Sequence, residues 1–330
     1  MLRSYSAAEV HAALGYPELI EALREAFKRD GEPMPLRQAY DVGVNGAPAR
    51  LLTMPAWIRG EALGVKLVTV FPQNAERGLG AVSSLYFLLD GETGQPRAMI
   101  DGEALTNRRT AAASALASDY LSRADSRTLL IVGTGHVARH LAAAHRAVRP
   151  IEKVLVWGRR PERVRALADA LVRQGVNAVP VADLDLALPQ ADIVSCATTS
   201  AEPLVKGALL RPGTHLDLVG AFTPQMRESD DAAISRSRVF IDTYPGALAE
   251  AGDLLQPIAA GTWSADRICG DLHELANGAK SGRLDRDDIT LFKSVGAAIE
   301  DLAAARLLVN EAKASSQARP SERGCAATKA

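Results

Sequence analysis

Hydrophobic positions change their period along these 330 residues, and the changes divide the chain. From Tyr16 to Arg29, Leu19, Leu23, Ala26 and Phe27 recur at helical spacing, and Ser6 and Glu9 stand ahead of them at the spacing of a capping box. The texture then turns β-rich: Arg50 to Pro55, Ala62 to Phe71, Ala81 to Leu89 and Pro96 to Ile100 are short runs punctuated by Gly and Pro. An alanine-rich helix is predicted from Asp101 to Ser122. Past Asp125-Ser126, short apolar strands begin at Thr128, Lys153, Ala178, Ile193, His215 and Val239. Helical segments separate the first of them, one running to Arg149 and one over Pro161 to Arg173. That alternation predicts a parallel, doubly wound sheet behind an α+β opening unit. A last helix is predicted from Ile289 to Val309, returning to the first unit, and the small polar tail from Ala314 is expected to be disordered.

Length supports two units, because 330 residues exceed the usual span of one domain. The formal net charge is −1 with no run of like charges, so neither nucleic acid nor an acidic membrane has an electrostatic footprint here. Cys196, Cys269 and Cys325 form neither a disulfide framework nor a metal-ligand spacing, which favours a reducing compartment. The N-terminus lacks the apolar core of a signal peptide, and no apolar run approaches the ~20 residues that span a bilayer. The expected location is cytoplasmic. No metal motif is present, and Ser195 and Ser200 lack the context of a nucleophile elbow.

The chemistry begins at Gly133-Thr134-Gly135-His136-Val137-Ala138, which follows the apolar strand directly and opens a helix. Gly133 permits the tight turn, Gly135 lets backbone approach a pyrophosphate, and Ala138 keeps the helix close to the strand. The free N–H groups of the helix start complete a phosphate site, so the segment reads as a Rossmann dinucleotide turn. A βα turn without a ligand is the alternative. His136 is expected to face phosphate or solvent, and His140 and His145 to lie on the helix surface.

The end of the next strand bears on the cofactor. A carboxylate there would bind the ribose 2′-hydroxyl of NAD, but this chain carries Trp157-Gly158-Arg159-Arg160. Two guanidiniums with no competing acid favour a 2′-phosphate, hence NADPH, with NADH a weaker possibility. A solvated basic helix start is the plainer reading. Thr110, Thr198, Gly220 and Thr223 are further candidates for cofactor contact.

Several segments together resemble the ornithine cyclodeaminase/mu-crystallin family: Leu63 to Lys66, Pro72-Gln73-Asn74, Leu105 to Ala112, the glycine turn, Thr290 to Gly296, and Glu300-Asp301. The resemblance implies a dimerising substrate unit made of 1–122 with 290–313 and a Rossmann unit over 123–289, followed by a tail at 314–330. It also implies a homodimer and hydride exchange with an imine of an α-amino acid. Lys66 and Arg109 match the family's substrate-binding lysine and arginine, and Arg37 falls near a second carboxylate-binding arginine. Taken without the resemblance, Arg109 is an ordinary helix-surface arginine. Lys66, inside an apolar strand, requires an anion from substrate or from a neighbouring carboxylate. Buried beside Arg109, Lys66 is expected to have a lowered pKa and to be able to give a proton to the imine.

The departure from the cyclodeaminases lies at Phe222, where similar enzymes carry an aspartate. A phenyl ring cannot act as a base, though it can line a cleft for the carbon skeleton of a cyclic imine, or simply pack. The expectation is an NADPH-dependent reductase of Δ1-pyrroline-2-carboxylate and Δ1-piperideine-2-carboxylate. Alternatives are an ornithine cyclodeaminase, an alanine dehydrogenase-like enzyme, or a dinucleotide-binding protein without activity.

Overall fold

The computed structural model describes residues 2–29, 34–44 and 46–317. The chain opens with β1 (Arg3–Tyr5), α1 (Ala7–Ala13) and α2 (Tyr16–Lys28). It continues through β2 (Gln38–Asp41), β3 (Arg50–Ile58), β4 (Ala62–Val70), β5 (Val82–Asp90) and β6 (Pro96–Asp101) into the long helix α3 (Gly102–Leu121). These six strands make one sheet in the order β1-β6-β5-β4-β3-β2, an antiparallel meander with β1 added parallel to β6. The predicted capping box at Ser6 and Glu9 is formed, and the Asp101 side chain caps α3 by accepting from the Ala104 N–H at 2.8 Å.

The second half begins with β7 (Thr128–Val132), α4 (Ala138–Arg146), β8 (Lys153–Trp157), α5 (Pro161–Arg173), β9 (Ala178–Pro180) and α6 (Leu184–Ala187). Then follow β10 (Ile193–Cys196), β11 (His215–Leu218), α7 (Asp231–Arg236) and β12 (Arg238–Ile241). Last come α8 (Tyr244–Glu250), α9 (Gly252–Ala259), β13 (Ile268–Asp271), α10 (Leu272–Ala276), β14 (Thr290–Lys293) and α11 (Ala298–Gln317). All eight strands are parallel, in the order β13-β12-β14-β11-β10-β7-β8-β9, the doubly wound arrangement of a Rossmann-type sheet. Leu129 and Ile131 of β7 pack into one core while Leu130 and Val132 pack into the other, so both faces are covered. The first of these cores is continuous through α3 with the core beneath the meander. The alanines of α3 make that continuity possible, because small side chains on every face let neighbours approach all round.

Three expectations about the end of the chain need correction. The helix predicted from Ile289 is a strand, a turn and then a helix: β14 lies between β11 and β12, and α11 starts only at Ala298. A strand buried on both faces reads as a continuous apolar run, which periodicity cannot separate from a buried helix. Gly296, at φ 87°, was the available sign of a break. The boundary drawn at 289/290 therefore cuts into the parallel sheet, and Thr290–Lys293 belong with it. Helix α11 packs on α2, α3 and strands β3 to β5. It also takes in 314–317 of the expected tail; 318–330 lie outside the described residues. β1, β2 and β13 were not foreseen. Among the described residues no helix is long and apolar enough to cross a membrane.

One glycine in the meander sets the strand that matters most below. A Cβ on Gly64 would lie 1.9 Å from the hydroxyl oxygen of Tyr86, a fully buried ring on the adjacent strand. Gly64→Ala is expected to lower stability by about 1–3 kcal/mol in urea unfolding through overpacking. An unchanged midpoint would show that Tyr86 moves aside without cost.

Candidate active site

Strand β4 turns Ala62, Gly64 and Lys66 toward the interior, and α11 covers that face. Lys66 is thus carried into the core by strand alternation, opposite Met54 on one side and Tyr86 on the other. It is 3% exposed. An ammonium there needs a counter-ion, and α11 supplies one: Lys66 Nζ stands 2.7 Å from Asp301 Oδ2 and 3.4 Å from Thr106 Oγ1. Arg109, projecting from α3, donates from Nε to Asp301 Oδ1 at 2.9 Å and from Nη1 to Glu300 Oε2 at 2.6 Å. Both carboxylates are fully buried. Glu300 also accepts from the Ala297 N–H at 3.2 Å, closing the first turn of α11, where a carboxylate complements the helix dipole. Two cations and two anions balance within this group.

Burial and charge divide the four unequally. Burial pulls the Lys66 pKa down to about 8; Asp301 resists, while Arg109 and Arg37 add to the fall. Burial would raise Asp301, but Arg109 and Lys66 outweigh it and hold it below the usual carboxylate value. Glu300 rises to about 7, first through burial, against the pull of Arg109 and with repulsion from Asp242 and Asp301. Burial alone would lower Arg109, but its two carboxylates raise it.

The turn after β14 brings this group to a cavity. The carboxylate of Asp242, at the end of β12, accepts from Val295 N–H and Gly296 N–H, both at 2.8 Å, and from Ser294 Oγ at 3.0 Å. A Cβ on Gly296 would fall 2.7 Å from Arg109 Nη1 and 2.9 Å from Nη2, so glycine lets the turn rest on the guanidinium. Arg37 reaches the same turn, donating from Nη2 to the Val295 carbonyl at 2.9 Å with Nε 3.2 Å from Glu250 Oε1. A cavity of about 1060 Å³ opens here, lined among others by Arg37, Met54, Trp57, Thr243 and Gly296. Neither Lys66 nor Arg109 lines it, but Met54 of its lining pairs with Lys66 and Gly296 of its lining rests on Arg109. Arg109 Nη2 makes no hydrogen bond among the described residues and remains as a donor.

The dinucleotide turn stands at the carboxyl end of β7. Gly133 has φ 123°, and a Cβ on it would meet the Ala197 carbonyl at 2.6 Å. A Cβ on Gly135 would meet nothing within 4 Å, so the backbone there is open to a ligand. Among the described residues the N–H groups of Thr134 to Val137 donate no hydrogen bond. Ala138 is fully buried at the start of α4. Arg159 and Arg160 are exposed at the start of α5 with no side-chain partner among the described residues. Free amides, an open glycine and unpaired guanidiniums fit a dinucleotide bearing phosphates.

Other candidates fall differently. Thr110 is buried beside Arg109 on α3, and Thr198 and Gly220 stand where the chain leaves β10 and β11. Thr223 is half-buried in the same loop as Phe222, which is 39% exposed and does not line the cavity. His136 is exposed and pairs with Glu103. His145 is not on the surface: it is fully buried, 3.8 Å from Asp217. His140 is half-buried against the ring of His11. Asp301 and Glu300 were missed as site residues, although two adjacent acids directly before the apolar run Leu302 to Ala305 were the available signal. Asp242, Glu228, Asp253 and Lys293 were missed as well.

The model of the ornithine cyclodeaminase/mu-crystallin family matches residues 1–316. The chain belongs to that family. A curated relative, the Δ1-pyrroline-2-carboxylate reductase of Paracoccus denitrificans, is 41% identical over 290 residues, covering 88% of this chain and 90% of its own length. The solved structure of the Thermococcus litoralis Δ1-pyrroline-2-carboxylate reductase, in complex with NADH and L-proline, superposes with a TM-score of 0.90 at 36% identity. It covers 96% of this chain and 98% of its own. An archaeal alanine dehydrogenase dimer with bound NAD is also similar, at a TM-score of 0.84 and 26% identity, covering 96% and 97%.

Removal of Arg109 leaves two buried carboxylates sharing one lysine. Arg109→Ala is expected to cost about 3–5 kcal/mol in urea unfolding. Arg159→Ala, a change at an exposed and unpaired side chain, is expected to move stability by less than about 0.5 kcal/mol. Equal losses in the two variants would contradict this account of the cluster.

Proposed function

We propose that this chain, an NAD(P)H-dependent oxidoreductase acting on carbon–nitrogen bonds, reduces cyclic imino acids. Δ1-Pyrroline-2-carboxylate would give L-proline, and Δ1-piperideine-2-carboxylate L-pipecolate. The observation that carries the reading is Lys66: a buried ammonium with a pKa near 8, held between Asp301 and Thr106, next to Met54 of a cavity lined by Arg37. The reductases from Paracoccus and Thermococcus support it, and so does the L-proline in the latter's complex.

When bound, the dihydronicotinamide supplies a hydride to the imine carbon. The chain's own residues do the rest. Reduction moves the carbon–nitrogen π electrons onto nitrogen, which must take up one proton. Lys66 holds that proton at an acidity suited to neutral pH, and Asp301 keeps the ammonium in place. Arg37 and the free Nη2 of Arg109 bind the ring carboxylate from two sides. The resulting Lys66 amine regains its proton from solvent after product leaves. Phe222 has no group that can take a proton, which weighs against cyclisation of ornithine.

Gly133 to Ala138 would hold the pyrophosphate, with Thr110, Thr198, Gly220 and Thr223 toward the nicotinamide end. Arg159 and Arg160 would hold a 2′-phosphate, which makes NADPH the preferred donor over NADH. A second copy of the chain is the expected partner; the similar alanine dehydrogenase is a dimer.

Purified protein supplied with NADPH and Δ1-pyrroline-2-carboxylate is expected to consume nicotinamide absorbance, with little turnover of pyruvate plus ammonia. Conversion of ornithine to proline with catalytic NAD would overturn the reading. Arg159→Asp is expected to raise the KM for NADPH by about tenfold or more through loss of a charge-assisted contact, while the KM for NADH stays nearly constant. Equal effects on both cofactors would remove Arg159 from the phosphate site.

A further inference from the structure

Glu228 sits in the loop between β11 and α7 with no exposed surface. A buried carboxylate must be fully partnered, and this one accepts four hydrogen bonds from two separate loops. Its Oε1 takes the Thr198 N–H at 2.7 Å and the Thr198 hydroxyl at 2.8 Å, just after β10. Its Oε2 takes the Gly220 N–H at 2.8 Å and the Ala221 N–H at 3.3 Å, just after β11. Gly220 leaves room for this arrangement: a Cβ there would lie 2.0 Å from the Thr198 carbonyl and 2.4 Å from Glu228 Oε1.

The carboxylate is itself anchored. Asp253 of α9 accepts the N–H groups of Glu228 at 2.9 Å and Ser229 at 3.0 Å through Oδ1. Its Oδ2 lies 3.0 Å from Nζ of Lys293, the last residue of β14, which leads directly into the turn resting on Arg109. In an open parallel sheet the ligand crevice lies at the carboxyl ends of the strands. The loops after β10 and β11 stand at that end of the sheet, and Gly133 of the glycine turn packs on the first of them at Ala197.

We propose that Glu228 is a positioning residue, one carboxylate that staples the loops after β10 and β11 together and so fixes the surface that receives the nicotinamide end of the dinucleotide. The proposal rests on the dinucleotide reading above. The groups facing Glu228 are Lys293 of β14, Asp253 of α9 and the Cys196 thiol of β10, itself near Asp217 of β11. Burial raises the Glu228 pKa to about 6, with Lys293 opposing and Asp253 reinforcing, while the Thr198 hydrogen bonds pull it down. The staple is therefore intact while the carboxylate is ionised and loosens as pH falls through about 6.

Hydrogen exchange of the full chain without ligand tests this directly. In Glu228→Gln the amides of one loop, either Thr198 or Gly220 and Ala221, are expected to lose protection by about tenfold or more, because a carboxamide keeps one accepting oxygen and its NH2 group cannot accept. The amides of β4 and α3 should be unchanged. The dissociation constant for NADPH, followed by its fluorescence, should rise by about the same factor. In the unsubstituted protein the same three protection factors, corrected for intrinsic exchange, should fall below pH 6. That measurement stands even if the variant does not fold. Unchanged protection of these amides in the variant, or constant protection from pH 5 to 8 in the parent, overturns the proposal. Neither readout requires an imino acid, so failure of the substrate reading is seen separately, as absence of turnover in the unsubstituted protein.

Discussion

Two cations and two carboxylates meet with almost no exposed surface where β4, α3 and α11 converge, and most of the architecture serves to hold them there. Lys66, Arg109, Glu300 and Asp301 come from three distant stretches of chain. None could be buried alone without a cost of several kcal/mol, so each fixes the others. The balance is uneven in a useful way. Asp301 is engaged by both cations and stays ionised, and Arg109 keeps its charge, which leaves Lys66, lowered to about 8, and Glu300, raised to about 7, as the members that titrate near neutral pH.

This junction also explains why both ends of the chain are needed around one parallel sheet. Helix α11 brings Glu300 and Asp301 back onto the meander, while β14, only a few residues earlier, belongs to the parallel sheet. The short turn between them, pinned by Asp242 and opened by Gly296, joins the cavity to the charged group. A single core runs from beneath the meander through α3 to one face of the parallel sheet.

The sequence was most legible where local rules act alone. The glycine turn, the strands β3 to β8 and helices α3 and α5 follow from period, punctuation and turn chemistry. Lys66 stood out because a charge inside an apolar strand demands a partner, and the partner proved to be Asp301 in addition to any substrate. Legibility failed where burial hides the period. β14 reads as helix because both its faces are covered, and nothing local singles out Glu228, whose donors Thr198, Gly220 and Ala221 are brought to it only by the fold. Phe222 stands in a segment that resembles the family's, yet it is partly exposed and outside the cavity lining. Resemblance located that residue in the chain but could not say which way the ring turns.

Burial brings the Lys66 ammonium to a pKa of about 8, within reach of neutral pH. The pH dependence of kcat/KM for Δ1-pyrroline-2-carboxylate reduction with NADPH reports the free enzyme's essential acid. On the proposed mechanism Lys66 acts as its ammonium, so the profile should be level below its pKa of about 8 and fall tenfold per pH unit above it. A profile that stays level to pH 10 would contradict the account.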